Sequence, residues 1–92
     1  MEITFEYLKK CGFKVDVEMN LSAHFFKDES FELINFEGMD FPRDSDWELI
    51  IFNSGHSKYA HCKLIAEVDN LDRVKTLLKM YDINPDDYFN AE

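Results

Sequence analysis

The 92-residue chain has little glycine and proline, which interrupt regular structure, and little cysteine, which cross-links small folds through disulfides. Three Gly and two Pro disfavour low-complexity sequence and extensive disorder. A chain of this length can bury a modest core without disulfides or metal. The only cysteines, Cys11 and Cys62, each fall in a predicted regular element. We therefore expect a single domain over residues 1–92, with both thiols reduced and unbridged.

The chain also lacks long apolar runs and basic charge. No apolar stretch approaches the ~20 residues that cross a bilayer, and residues 1–4 lack the basic start of a secretory signal, which predicts a cytoplasmic protein. Ten Lys and Arg against 19 Asp and Glu give a net charge of −9. That charge disfavours direct binding to nucleic acid and to anionic membranes. It favours solubility or a basic protein partner.

Residues 47–52, a largely apolar stretch whose one polar residue is Glu48, organise the prediction of the fold. The stretch is rich in β-branched and aromatic residues, and turn-forming residues bound it on both sides, which is typical of a central strand. Trp47, Leu49 and Ile51 would share one face of that strand. Ile50 and Phe52 lie on the other face, so we expect the second face of the sheet to be partly covered.

Periodicity predicts the remaining elements. Helical spacing indicates a short helix from about Thr4 to Cys11 and an amphipathic helix from about Asn70 to Tyr81. Alternation or extended character indicates strands over 13–19, 23–27, 31–36 and 60–68. Short connections between consecutive strands favour an antiparallel meander. We therefore predict an α+β domain with an N-terminal helix, a four- to five-stranded antiparallel meander and a C-terminal amphipathic helix packed on the sheet (α-β-β-β-β-α).

Capping residues refine the helix ends. Thr4 is the predicted N-cap of the first helix, and Gly12 fits the left-handed position after its end. Asp69 is the predicted N-cap of the second helix. Asn84 and Pro85 predict a short terminal turn.

Matching periodicities also predict the core. The second helix should pack its apolar face on inward-facing strand residues. The predicted contacts join Leu71, Val74, Leu77 and Leu78 to Leu49, Ile51, Val15, Val17 and Leu64.

No motif indicates a chemical site. The histidines near Cys62, His56 and His61, match no zinc-binding spacing, and His61 and Cys62 would point to opposite faces of a strand. Ser54 and Ser57 flank His56 in a loop without the orienting third group that nucleophilic catalysis needs. No glycine-rich loop could hold a phosphate. We predict a non-enzymatic protein without metal or cofactor.

One acid-dense window stands out. Five acids, Glu37, Asp40, Asp44, Asp46 and Glu48, fall within twelve residues, with Arg43 as the only base among them. Asp28, Glu29 and Glu32 precede the window and are expected nearby across a hairpin. Like charges collected in this way repel one another, so either a loop tolerates them or a basic partner neutralises them. We predict that these five acids form a partner-binding surface, with Phe41 and Trp47 as its apolar anchors.

In size and charge the chain resembles small acidic domains that occupy the nucleic-acid groove of their targets, such as bacterial immunity proteins and phage-encoded inhibitors of host defence (anti-CRISPR-like proteins). That resemblance implies a nucleic-acid mimic that inhibits a basic, nucleic-acid-handling protein such as a nuclease, acting as a monomer or homodimer. Two alternatives remain open. The first is a small-molecule or nucleotide binder with Tyr59 and Trp47 at the rim of the sheet. The second is a scaffold subunit that pairs through an exposed strand edge.

Overall fold

A five-stranded antiparallel sheet carries both helices on one face in the computed structural model, which describes residues 1–18, 22–37, 44–53 and 62–91. The elements are α1 (Phe5–Lys10), β1 (Lys14–Glu18), β2 (Ser22–Phe26), β3 (Phe31–Asn35), β4 (Trp47–Phe52), β5 (Cys62–Val68), α2 (Leu71–Met80) and a 3₁₀ turn (Pro85–Asp87). The strands follow one another across the sheet in chain order. The predicted α+β meander between two helices is confirmed, with five strands.

The central strands are covered on both faces. On β4, Leu49 and Ile51 are fully buried beneath the helices, while Phe52 on the other face is also buried. On β3 every residue is buried, including Glu32 and Asn35. The expectation that the second face would be partly covered is confirmed.

The predicted core contacts are correct for α2 and wrong for β1. Leu71, Val74, Leu77 and Leu78 of α2 are buried in one cluster with Leu49 and Ile51, and Leu64 packs against that cluster. Val15 and Val17, by contrast, are 41% and 55% exposed. The register places them opposite Phe25 and Ala23, on the helix-bearing face. They are exposed because β1 is an edge strand that extends beyond the area the helices cover.

Both ends of α1 follow the sequence prediction. The Thr4 hydroxyl oxygen accepts a hydrogen bond from the Tyr7 N–H at 3.1 Å, as an N-cap does. Gly12 adopts φ +94°, and its N–H donates to the Lys9 carbonyl. The Phe13 N–H then donates to the Leu8 carbonyl at 3.0 Å, which completes a Schellman motif.

The start of α2 differs from the prediction by one residue. Asn70, rather than Asp69, is the N-cap, and its side-chain oxygen accepts a hydrogen bond from the Arg73 N–H at 2.8 Å. The helix ends in a second Schellman motif, with Asp82 in the left-handed position at φ 61°. The predicted Asn84 cap of the terminal turn is confirmed.

The two thiols are free: Cys11 is buried, and Cys62 is exposed at the start of β5. Across the described ranges, neither helix has the length and apolar character needed to span a bilayer.

Candidate protein-binding surface

The acid-dense window is only partly gathered on one surface. Glu37, Asp44 and Asp46 are exposed beside the end of the sheet where β3 finishes and β4 begins. Glu48 is half-buried and points to the second face, because it alternates with the inward-facing Trp47 and Leu49. Asp40 and Phe41 lie outside the described residues.

Trp47 packs mainly in the core and has little exposed surface. Its side chain is 8% exposed. Its ring contacts Phe5 edge-on at 5.7 Å between centroids and lies 5.6 Å from the ring of Phe25. Trp47 therefore offers little accessible surface, either as the predicted apolar anchor or as the rim residue of the alternative ligand site. Tyr59, the other residue of that alternative, lies outside the described ranges.

The base of the loop that carries the window is fixed by hydrogen bonds. The Phe36 N–H donates to the Asp46 carbonyl at 2.7 Å, so the two sides of the loop meet beyond the last paired residues of β3 and β4. The Ser45 hydroxyl donates to the Val68 carbonyl and accepts a hydrogen bond from the Trp47 N–H. Asp46 is therefore held beside the end of β5.

Glu67 holds the same loop from the side. Its Oε1 accepts hydrogen bonds from the N–H groups of Asp44 at 3.2 Å and Ser45 at 3.4 Å. A carboxylate that accepts two backbone N–H groups fixes local conformation well. We therefore assign Glu67 a structural role at this end of the sheet.

The N-terminus brings a further acid to this end. The Leu71 N–H donates to the Met1 carbonyl at 2.9 Å, and the terminal ammonium lies 3.7 Å from Asp72 Oδ2. The first N–H groups of a helix have no hydrogen-bond partner within the helix. The Met1 carbonyl provides a partner for one of them, the Leu71 N–H at the start of α2. This contact places Glu2 beside the junction of β5 and α2.

Together these contacts create a concavity of about 420 Å³ rimmed by acids. Four chain segments contribute its carboxylates: Glu2, Glu37, Asp46 and Asp69, which we call the acidic concavity. All four residues are exposed. Its other described lining residues, Ile3, Ser45 and Trp47, carry no positive charge. Sequence reasoning found Glu37 and Asp46 but missed Glu2 and Asp69, because their proximity depends on tertiary contacts.

A polar cluster on the second face of the sheet was also missed. Glu32 is 3% exposed, and its Oε2 lies 3.3 Å from His24 Nδ1. His24 Nε2 in turn lies 3.0 Å from the Ser22 hydroxyl and 3.8 Å from a carboxylate oxygen of Glu18. Ser22 and His24 are two residues apart on β2 and therefore share one face of the strand. Glu32 lies on β3, the next strand of the hairpin. Alternation along both strands could have placed all three residues on the same face of the sheet.

The order carboxylate, imidazole, hydroxyl matches that of a catalytic triad. Acyl transfer would also require donors for a developing oxyanion. The nearby Glu18 carboxylate opposes negative charge at this position. A buried carboxylate needs hydrogen-bond partners in any case, and His24 provides one. We therefore assign this cluster to the stability of the sheet.

Asp28, predicted near the acid window, is instead bonded at the opposite end of the sheet. Its Oδ2 accepts a hydrogen bond from the Tyr88 hydroxyl at 2.6 Å, and its Oδ1 accepts one from the Ser30 N–H at 2.8 Å. Burial alone raises the pKa of Asp28, but hydrogen bonds from Tyr88 and Ser30 outweigh it, so the pKa is lowered overall. Burial and the hydrogen bond to Asp28 raise the pKa of Tyr88.

Comparison with protein-family models, curated proteins and solved structures found no match. Any functional proposal therefore depends on the geometry and charge of this chain. The acidic concavity combines the two, because four carboxylates line it and none of its described lining residues is basic.

Proposed function

We propose that the protein is a small, acidic, non-enzymatic binding module that inhibits a basic, nucleic-acid-handling protein by occupying its nucleic-acid site. The observation that carries this proposal is the acidic concavity. Its four exposed carboxylates come from the N-terminus, the end of β3, the start of β4 and the end of β5. A net charge of −9 extends the same sign over the whole molecule.

The proposed mechanism is electrostatic mimicry. Lys and Arg side chains that hold phosphates in the partner would instead bind the carboxylates of the concavity. Complementary potentials accelerate association, and they do so most at low salt. Neutralisation by the partner would also relieve the repulsion among the carboxylates, which the free protein must sustain.

Affinity requires more than surface charge. Exposed ion pairs contribute about 0–1 kcal/mol each, and tight interfaces depend on a few desolvated anchors. With Trp47 in the core, Phe41 is the remaining anchor of the predicted pair. The proposal therefore combines a charged rim with an apolar contact from the loop between β3 and β4.

A charge-matched pair of variants tests the proposal. The concavity variant carries Glu2→Gln, Glu37→Gln, Asp46→Asn and Asp69→Asn. The control variant changes exposed acids elsewhere and has the same net charge: Glu6→Gln, Glu29→Gln, Asp86→Asn and Asp87→Asn. Each protein is immobilised, and partners captured from a lysate are identified by mass spectrometry and assayed for nucleic-acid binding with and without the inhibitor. We expect the control, but not the concavity variant, to capture and inhibit a basic partner. Equal loss in both variants would show that total charge, and not this surface, is responsible.

A further inference from the structure

The exposed valines of β1 form an apolar strip. Val15 and Val17 point to the helix-bearing face but lie beyond the helices. Phe5 of α1 is also 40% exposed, and its ring lies 4.9 Å from that of Phe25, the cross-strand neighbour of Val15. Val15 and Val17 are therefore the exposed apolar residues of this edge, which we call the β1 edge strip, and Phe5 lies farther in, over Phe25 and Trp47.

The backbone of β1 is suited to a further strand. β1 is the first strand of the sheet, and among the described residues its outer side pairs with no other strand. Its register with β2 is regular over five residue pairs, and it contains no proline. Natural edge strands are usually protected by a bulge, a proline or charged side chains, and of these β1 has only the charged side chains, Lys14, Asp16 and Glu18. The other edge strand, β5, has an irregularity in its register with β4.

The charges of β1 complement those of a second copy. When two copies of a strand pair antiparallel about a two-fold axis perpendicular to the sheet, one residue faces the same residue of the second copy. The register is named after that central residue, and the residues on either side of it face each other across the axis. The register centred on Val15 places Lys14 opposite Asp16 of the second copy, twice, and Phe13 opposite Val17. Opposite charges in such cross-strand positions are stabilising.

The other registers centred within β1 place like charges opposite each other. Centring on Lys14 opposes two lysines. Centring on Asp16 places Lys14 opposite Glu18 twice, but it also opposes two aspartates, a repulsion that the Val15-centred register lacks. Centring on Val17 places Asp16 opposite Glu18, and centring on Glu18 opposes two glutamates. The Val15-centred register is therefore the one that the sequence of β1 favours.

We propose that β1 pairs antiparallel with β1 of a second copy of the chain, centred on Val15, to form a homodimer with one continuous sheet. The two β1 edge strips would then meet on the helix-bearing face and bury apolar surface that the free chain exposes. A two-fold contact of this kind closes on itself and forms no fibre. The acidic concavity is lined by residues of other elements, so the dimer is independent of the proposed inhibition.

A charge swap tests both the contact and its register. Sedimentation velocity of the wild-type chain, across a micromolar concentration series, should show a monomer shifting to a dimer. Lys14→Asp or Asp16→Lys each places like charges opposite one another at two positions. With cross-strand pairs of about 0.2–1 kcal/mol each, the dimer should weaken about tenfold. The double variant Lys14→Asp/Asp16→Lys restores opposite charges at both positions and should regain most of the wild-type affinity.

Two further variants distinguish the β1 edge from other contacts. Val17→Lys introduces charge into the β1 edge strip and should also weaken the dimer, while thermal melts at low concentration confirm folding. Ile65→Lys changes an exposed residue (59%) on the opposite edge strand and should leave dimerisation unchanged. A wild-type chain that remains monomeric, a double charge swap as weak as the single variants, or loss of the dimer in Ile65→Lys would each overturn the proposal.

Discussion

His24 Nδ1 lies 3.3 Å from Glu32 Oε2 on the face of the sheet opposite the helices, where Glu32 is almost fully buried. Leaving a buried polar group without one of its hydrogen-bond partners costs about 1–3 kcal/mol. His24→Ala should therefore lower the free energy of unfolding by about this amount in urea melts at neutral pH. Ser22→Ala, which removes the outer hydroxyl but leaves the contact with Glu32, should cost less. An equal loss of unfolding free energy in both variants would contradict the view that the contact between His24 and Glu32 is the stabilising one.

Leu77 and Val17 provide a matched test of the core. The sequence predicts both residues to face inward, but Leu77 is buried where α2 packs on the sheet, whereas Val17 is 55% exposed. Leu77→Ala should lower the free energy of unfolding by about 2–5 kcal/mol, because it leaves a cavity. Val17→Ala should change it by less than about 0.5 kcal/mol. Urea melts at concentrations too low for dimerisation give both values, and a large loss for Val17→Ala would place that residue in the core.

The positions of Val15 and Val17 show what alternation along a strand can and cannot predict. The pattern on β1 correctly placed Val15 and Val17 on the helix-bearing face. It did not indicate that the short α1 would leave the edge strand uncovered, because coverage depends on helix length and position. The apolar periodicity of α2 was decisive because Leu71 and Leu78 cover the centre of the sheet.

The candidate site was predictable only where its residues are close in sequence. Glu37 and Asp46 lie on either side of one loop, so the acid-dense window included both. Glu2 and Asp69 join them through the contact between Met1 and Leu71, which no local pattern indicates. Alternation placed Trp47 on the same strand face as Leu49 and Ile51, whereas its acidic neighbours favoured a surface anchor. Its contacts with Phe5 and Phe25 show that it packs mainly in the core.

Asp82 and Gly12 occupy equivalent left-handed positions at the ends of the two helices. A residue with a side chain pays roughly 1–2 kcal/mol to adopt this conformation, and glycine avoids that cost. Glycine also raises the entropy of the unfolded chain, which offsets part of its advantage. Asp82→Gly should therefore raise the free energy of unfolding by about 0.5–1 kcal/mol, and Gly12→Ala should lower it by about 1 kcal/mol. A Cβ at residue 12 would lie 3.6 Å from Lys27 Cε, an ordinary contact, so the loss would come from the backbone. Thermal melts that show no gain for Asp82→Gly would contradict this account.

The hydrogen bond from Tyr88 to Asp28 should appear in the acid dependence of stability. The pKa of Asp28 is lowered in the folded chain. A carboxyl of this kind stabilises the fold above its unfolded pKa of about 3.9, and that contribution is lost as the pH falls through the lower folded value. Tyr88→Phe should therefore destabilise the protein at neutral pH, by less than about 1 kcal/mol because the group is largely exposed. The difference from wild type should shrink below about pH 4, and urea melts between pH 2 and 7 measure it. A constant difference across that range would assign the effect to packing.

Charge neutralisation within the acid-dense window separates a binding role from a structural one. Asp44 and Asp46 are exposed, and their side chains repel the other acids at this end of the sheet. Replacing Asp40, Asp44 and Asp46 with Asn should therefore leave the melting temperature unchanged or slightly raised. The same variant should lose capture of a basic partner, and wild-type capture should weaken as salt rises. Glu67→Gln is the structural contrast, because its carboxylate holds the N–H groups of Asp44 and Ser45, and it should lower the melting temperature. If the triple variant unfolds, or if it binds the partner as well as wild type does, the window serves the fold and the proposed inhibition is wrong.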